Sequence, residues 1–245
     1  MSWIAVLLIG VAVADLAHSI RPVRLVSDCA GAAVASCVGV VAGLTEPADL
    51  LALVVTAAVV VLWGQTVTRA FAGGRAWVPL LVLAGALVLG VLTSAWADTA
   101  GGWLGDWLDV SQVPALQDIT ADRALLLAGA FLVQLSTGNV VVRLVLAATG
   151  TTDPAQGAQP ELDPALRLKG GRLLGPMERV FIVGLGLSGH LVAASIVIAA
   201  KGLLRFPELQ SRREQEWVHR LTEYFLVGSF VSWLFALSSL GLLAS

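Results

Sequence analysis

Charge is what this chain has least of. Only 13% of its 245 residues are Asp, Glu, Lys or Arg, against about 25% in an ordinary soluble domain. Hydrophobic residues make up 57%, and the mean hydropathy is +0.85. A globular core wrapped in a charged surface is therefore excluded, and a polytopic membrane protein is expected. Cysteine is nearly as scarce. Cys29 and Cys37 lie eight positions apart on one predicted helix, which at helical rise separates them by about 12 Å, too far for a bridge. They are expected to be free, buried thiols. The net charge of -2 gives no reason to expect nucleic acid as a partner, because in a membrane protein it matters which loops hold the charges. No Lys or Arg precedes the first apolar run, so Ala12-Val13-Ala14 is not read as a signal-peptide cleavage site.

What is present is a series of long apolar runs. About 20 such residues cross the hydrocarbon core, and the chain offers Trp3 to Ile20, Leu25 to Leu44, Asp49 to Arg69, Trp77 to Trp96, Ala121 to Ala148 and Thr222 to Leu243. The second run repeats a small residue every fourth position, at Gly31, Ala35, Gly39 and Gly43, and the last has Gly228, Ser232 and Ala236 at the same spacing. Such rows let helix backbones approach closely in lipid, either inside the chain or in an oligomer or complex. A segment near 101–117 carries Trp103/Trp107 and Leu104/Leu108 one turn apart with aspartates between them, a pattern suited to the headgroup region. The fold class expected is all-α, a transmembrane helical bundle of about eight hydrophobic segments. Its parts are five helices within 1–148, a flexible loop at 149–168 rich in Gly, Pro, Thr and Gln, and a C-terminal helical unit at 169–245.

Within that last unit the run from Val180 to Ala200 contains no Asp, Glu, Lys or Arg, yet has Ser188-Gly189-His190 at its centre. Glycine and a titratable side chain are expensive in a lipid-facing helix. If the run turns back at Gly189-His190 as a short hairpin, the basic residues sort to one face. Arg21, Arg24, Arg69, Arg75, Arg143, Arg167, Lys169, Arg172, Arg179, Lys201, Arg205, Arg212, Arg213 and Arg220 then share one side. Arg123 remains on the other, among Glu46, Asp49, Asp98, Asp106, Asp109, Asp118 and Asp122. A single crossing would move Lys201 to Arg220 across and break the positive-inside rule, so the hairpin is favoured, with the basic side cytoplasmic.

Two catalytic patterns fail on their partners. Gly186-Leu187-Ser188-Gly189 matches the G-x-S-G motif of rhomboid-type intramembrane proteases, but His190 is poorly directed as its base and the partner helix motif is absent after Ala17-His18. Asp118 and Asp122 have the spacing of a diphosphate-magnesium pair without a second acidic pair, and suit a helix N-terminus instead. No metal ion or cofactor is expected. The stronger constellation gathers at the basic side. Asp15 and His18 lie near the inner end of the first helix and Asp28 one turn into the second, while Arg143 follows Asn139 in the fifth. Ionisable groups inside spans face a bundle interior or a wet cavity and are candidate sites by default.

Gly170-Gly171-Arg172-Leu173-Leu174-Gly175-Pro176-Met177-Glu178-Arg179, Ala199-Ala200-Lys201-Gly202-Leu203-Leu204-Arg205-Phe206 and Thr222-Glu223-Tyr224-Phe225-Leu226-Val227-Gly228-Ser229 together resemble a family of bacterial multi-pass membrane proteins of unknown function. That family's pattern runs G-G-x-x-I-G-x-x-E-R, then A-A-K-x-x-x-R-F, then E-Y-x-L-I-G-T. The chain departs from it at Gly202, often serine there, and at Ser229, where the pattern has threonine. The resemblance covers the C-terminal third. It implies that Glu178, Arg179, Lys201, Arg205 and Glu223 form one unit, and it supplies no activity.

The expectation is a bacterial inner-membrane (plasma-membrane) protein with a polar pocket open to the cytoplasm. Arg143, Arg172, Arg179, Lys201, Arg205 and Glu223 would bind or transport an anionic small molecule or a lipid phosphate, with membrane lipids as surroundings and partners. Two alternatives stand beside it. One is an enzyme acting on a lipid-linked phosphate, with Glu178, Asp15 or His18 as general acid or base; the other is a non-catalytic subunit docked through the small-residue rows.

Overall fold

The computed structural model describes residues 1–111, 113, 118–151, 171–190, 192–196, 198–200, 203 and 215–244, with backbone only for 171–173 and 215–221. Among the described residues the chain is helical, with no strand. The helices are α1 (Ser2–Ile20), α2 (Arg24–Val41), α3 (Pro47–Phe71), α4 (Trp77–Thr93), α5 (Gly102–Val110), α6 (Ala121–Leu135), α7 (Thr137–Ala148), α8 (Gly171–Leu187) and α9 (Gln215–Ala244). A 3-10 turn, Ser94–Trp96, extends α4. Among the described residues five stretches, α1, α2, α3, α4 with its 3-10 turn, and Thr222–Ala244 of α9, are long and apolar enough to cross a membrane; α6 with α7, bent by 50° at their break, counts as a sixth if the pair is one broken span rather than a re-entrant loop. The all-α bundle expected from the sequence is therefore present.

The chain forms two compact units, Met1–Thr137 and Gly138–Ser245. In the first, α1 is the hub. Its apolar residues from Ile4 to Ala14 are almost entirely enclosed, and α2, α3, α4 and α6 all pack on it. The small-residue row of α2 allows this. A side chain at Gly31 would lie 2.5 Å from the Gly10 carbonyl oxygen and 2.6 Å from Ala14 Cβ, and one at Gly10 would lie 2.9 Å from Ala35 Cβ. Gly39 receives Leu53 of α3. Gly43 is past the end of α2, in a turn at φ +80°, where its backbone touches that of Gly102. So three members of the row make a helix contact, and the fourth makes a turn against α5.

Side-chain bonds fix which helix ends lie together in this unit. Trp3 Nε1 donates to Asp49 Oδ1 at 2.6 Å, Ser2 Oγ to the Asp98 carbonyl at 2.8 Å, and the Gly101 amide to the Ala42 carbonyl at 2.8 Å. The starts of α1 and α3 therefore share one end with the close of α2 and of α4. The Ala100 amide donates to Asp122 Oδ1 at 3.2 Å, which brings the start of α6 there as well. Glu46, Asp49, Asp98 and Asp122 collect at this end, whereas Arg21, Arg24, Arg69 and Arg75 belong to the opposite one. α5 buries Leu108 and leaves Trp103 and Trp107 exposed.

Two expectations need correction. Cys29 and Cys37 are free but exposed; they stand on the face of α2 away from the Gly31 row, which is what packs. The run Ala121 to Ala148 is not one helix, because Ser136 leaves helical geometry (φ -123°, ψ -67°) and gives its hydroxyl to the Ala12 carbonyl at 2.9 Å.

In the second unit α8 packs on α9. α8 stops at the position the glycine suggested. The His190 amide bonds the Leu185 carbonyl at 2.8 Å and the Gly189 amide bonds the Gly186 carbonyl at 3.1 Å, with Gly189 at φ +76°. This is the Schellman helix stop, whose left-handed residue glycine adopts without steric cost. Helix resumes at residue 192, its first turn closed by the Ala194 amide on the His190 carbonyl at 3.2 Å. Val180 to Ala200 is thus not one continuous helix. The loop expected at 149–168 lies outside the described residues from 152 onward.

Candidate functional site

Two buried polar clusters stand out, one in each unit. In the first unit the cluster grows from Arg24, which opens α2. Its Nη2 donates to Asp15 Oδ1 of α1 at 3.1 Å, and its Nε donates to the Gly64 carbonyl of α3 at 3.1 Å while lying 3.1 Å from Asp28 Oδ1. Trp63 Nε1 donates to Asp15 Oδ2 and Gln65 Nε2 to Asp28 Oδ2, each at 3.1 Å. Asp15, Asp28 and Trp63 are all buried. Gly64 is required here because a Cβ on it would collide with the Asp28 carboxylate. Charges this deep are tolerated only when paired and hydrogen-bonded, and three consecutive residues of α3, Trp63, Gly64 and Gln65, supply most of what the carboxylates need.

In the second unit the cluster is built on α8. Arg179 is almost wholly enclosed, at 1% exposure. Its Nη2 donates to Asn139 Oδ1 of α7 at 2.8 Å and its Nη1 to Ser232 Oγ of α9 at 3.1 Å. Gly138 stays bare because a Cβ there would lie 2.6 Å from Arg179 Nε. Glu178, buried beside it, accepts from Trp233 Nε1 at 2.9 Å. Ser232 and Trp233 are adjacent on α9, so one turn of that helix holds both neighbouring charged residues of α8. The last helix's small-residue row is used here as well, since Ser232 and Ala236 are buried and Gly228 faces Val142 and Leu146 of α7.

No family model, curated protein or solved structure matches this chain. The site is accordingly read from its own residues.

Of the residues expected from the sequence, Glu178 and Arg179 sit in the second cluster and Asp15 in the first. His18 is half-buried one turn beyond Asp15, with its Nδ1 enclosed and without a hydrogen bond. Arg143 and Glu223 are exposed, on α7 and α9. Arg172 is in the first turn of α8, and its side chain is outside the described residues, as are Lys201 and Arg205. Sequence reading missed Arg24, Trp63, Gly64, Gln65, Ser232 and Trp233 as site residues, and used Asn139 only as a landmark. By sequence Arg24 reads only as one of the charges of the basic side. The Gly64-Gln65 interruption of an apolar run was the available signal, of the kind that marks an intramembrane polar site.

Proposed function

We propose that the chain is an inner-membrane protein whose Gly138–Ser245 unit binds an oxyanion, a lipid phosphate or an anionic small molecule, through Arg179. One observation carries this reading: a buried guanidinium whose two Nη groups donate to neutral oxygens, Asn139 Oδ1 and Ser232 Oγ. A phosphate adds full opposite charge and a bidentate fit that neither neutral oxygen offers, so it competes with either partner. Arginine's planar fork matches phosphate in a way that lysine cannot. Exposed Arg143 on α7 adds positive charge in the same unit, and the positive-inside rule places the basic residues on the cytoplasmic side. Transport follows if the oxyanion is released on the other side, with Ser188 and His190 at the break after α8 as polar residues further along the run.

Lipid retention tests the reading. The full chain, purified with a mixture of phosphatidylglycerol and phosphatidylcholine, retains phosphatidylglycerol by native mass spectrometry, and Arg179→Gln lowers that retention by about tenfold or more. Arg179→Lys keeps the charge without the fork and falls between the two. Competition by inorganic phosphate separates a soluble anion from a lipid headgroup. Unchanged phosphatidylglycerol retention in a folded Arg179→Gln protein rules the site out.

A further inference from the structure

Unit 1 contains a second site that the oxyanion reading does not use. Its charges do not balance. Asp15 and Asp28 bring two carboxylates to one guanidinium, Arg24, and a net buried charge among apolar helices is costly. The geometry shows where the imbalance sits. Asp15 has both oxygens bonded, to Arg24 and to Trp63. Asp28 has Oδ2 bonded by Gln65, but its Oδ1 is enclosed with no hydrogen bond. Arg24 Nε is near that oxygen, yet its one N–H is spent on the Gly64 carbonyl.

The helix register brings a second open atom to the facing turn of α1. α1 and α2 run antiparallel, with Gly10 against Ala35 and Ala14 against Gly31. One more turn along α1 puts His18 across from Ser27 and Asp28, and His18 acts electrostatically on the Asp28 carboxylate. Its Nδ1 is likewise enclosed without a hydrogen bond, as is Thr137 Oγ1 on the Asp15 side of the cluster. Among the described residues, the charged or titratable groups that act on Asp28 are Arg24 and His18.

We infer that Asp28 is an exchangeable proton-binding site, with His18 as the group that passes the proton to and from it. One proton forms one O–H bond at Asp28 Oδ1 and takes the cluster from one negative charge to none, and no other bond changes. One carboxylate oxygen and one imidazole nitrogen suit a proton. They are a poor set for a metal cation, which prefers several oxygens.

Infrared difference spectra of the full chain in lipid nanodiscs, acidic minus alkaline, test this. A protonated-carboxyl band is expected that disappears in Asp28→Asn and persists in Asp15→Asn. In His18→Leu the band remains, but its exchange in deuterated buffer slows by about tenfold or more, a transfer role that mere packing would not produce. Should Asp28→Asn not fold, Asp28→Glu serves instead, and it must shift the band. A band that survives Asp28→Asn or is unmoved by Asp28→Glu overturns the proposal, as does a spectrum that answers to sodium at constant pH. Unchanged exchange in His18→Leu removes His18 from it.

Discussion

Arg24 shows how much a single residue can decide. By sequence it is the last charge of a short loop; in the fold it is a tie between three helices, through Asp15, Asp28 and the Gly64 carbonyl. Removing one partner of a buried ion pair leaves the other stranded, at a cost of about 3–5 kcal/mol, and here it strands two carboxylates. Arg24→Gln is therefore expected to destabilise the protein severely, read as a loss of folded material on thermal challenge in detergent. Arg24→Gln combined with Asp28→Asn should recover part of that loss, because it removes one stranded charge. If the double variant is no better than the single, Arg24 acts by packing rather than by charge. The carboxylates were legible in the sequence because charges in apolar runs are conspicuous. Their partners were not, since a tryptophan or a glycine in a membrane helix has many ordinary uses.

Among the elements, the helices of unit 1 differ in what their glycines do. Gly31 of α2 is pressed against α1, whereas Gly85 of α4 has nothing within 4 Å of where a side chain would start. Both belong to runs of small and apolar residues, and composition does not separate them. Gly31→Leu must push α1 and α2 apart, with overpacking of about 1–3 kcal/mol or more, while Gly85→Leu should leave thermal stability within experimental error. Equal effects would mean that the α1/α2 contact is not close. Hydrophobic length placed α1, α2, α3 and α4 within a few residues, and every-fourth spacing found the packing face of α2. What spacing could not supply was the break at Ser136, which depends on the Ala12 carbonyl of a helix far away in sequence. The stop at Gly189 was legible, because glycine beside a polar residue is a local signal.

At the scale of the whole molecule, charge follows a simple plan that the fold of unit 1 bears out. The end carrying Glu46, Asp49, Asp98 and Asp122 lies opposite the end carrying Arg21, Arg24, Arg69 and Arg75, as side-chain contacts across the bundle require. Unit 2 adds the buried Arg179, placed between α7 and α9 by Asn139 and Ser232. On this account the protein holds an oxyanion there. The most direct measurement is an experimental structure of the full chain in a nanodisc containing phosphatidylglycerol. The account predicts phosphate density within hydrogen-bond distance of Arg179, with Ser232 or Asn139 displaced from the guanidinium. A guanidinium still closed by both residues, with phosphate density only at exposed Arg143 or nowhere in the unit, would contradict it.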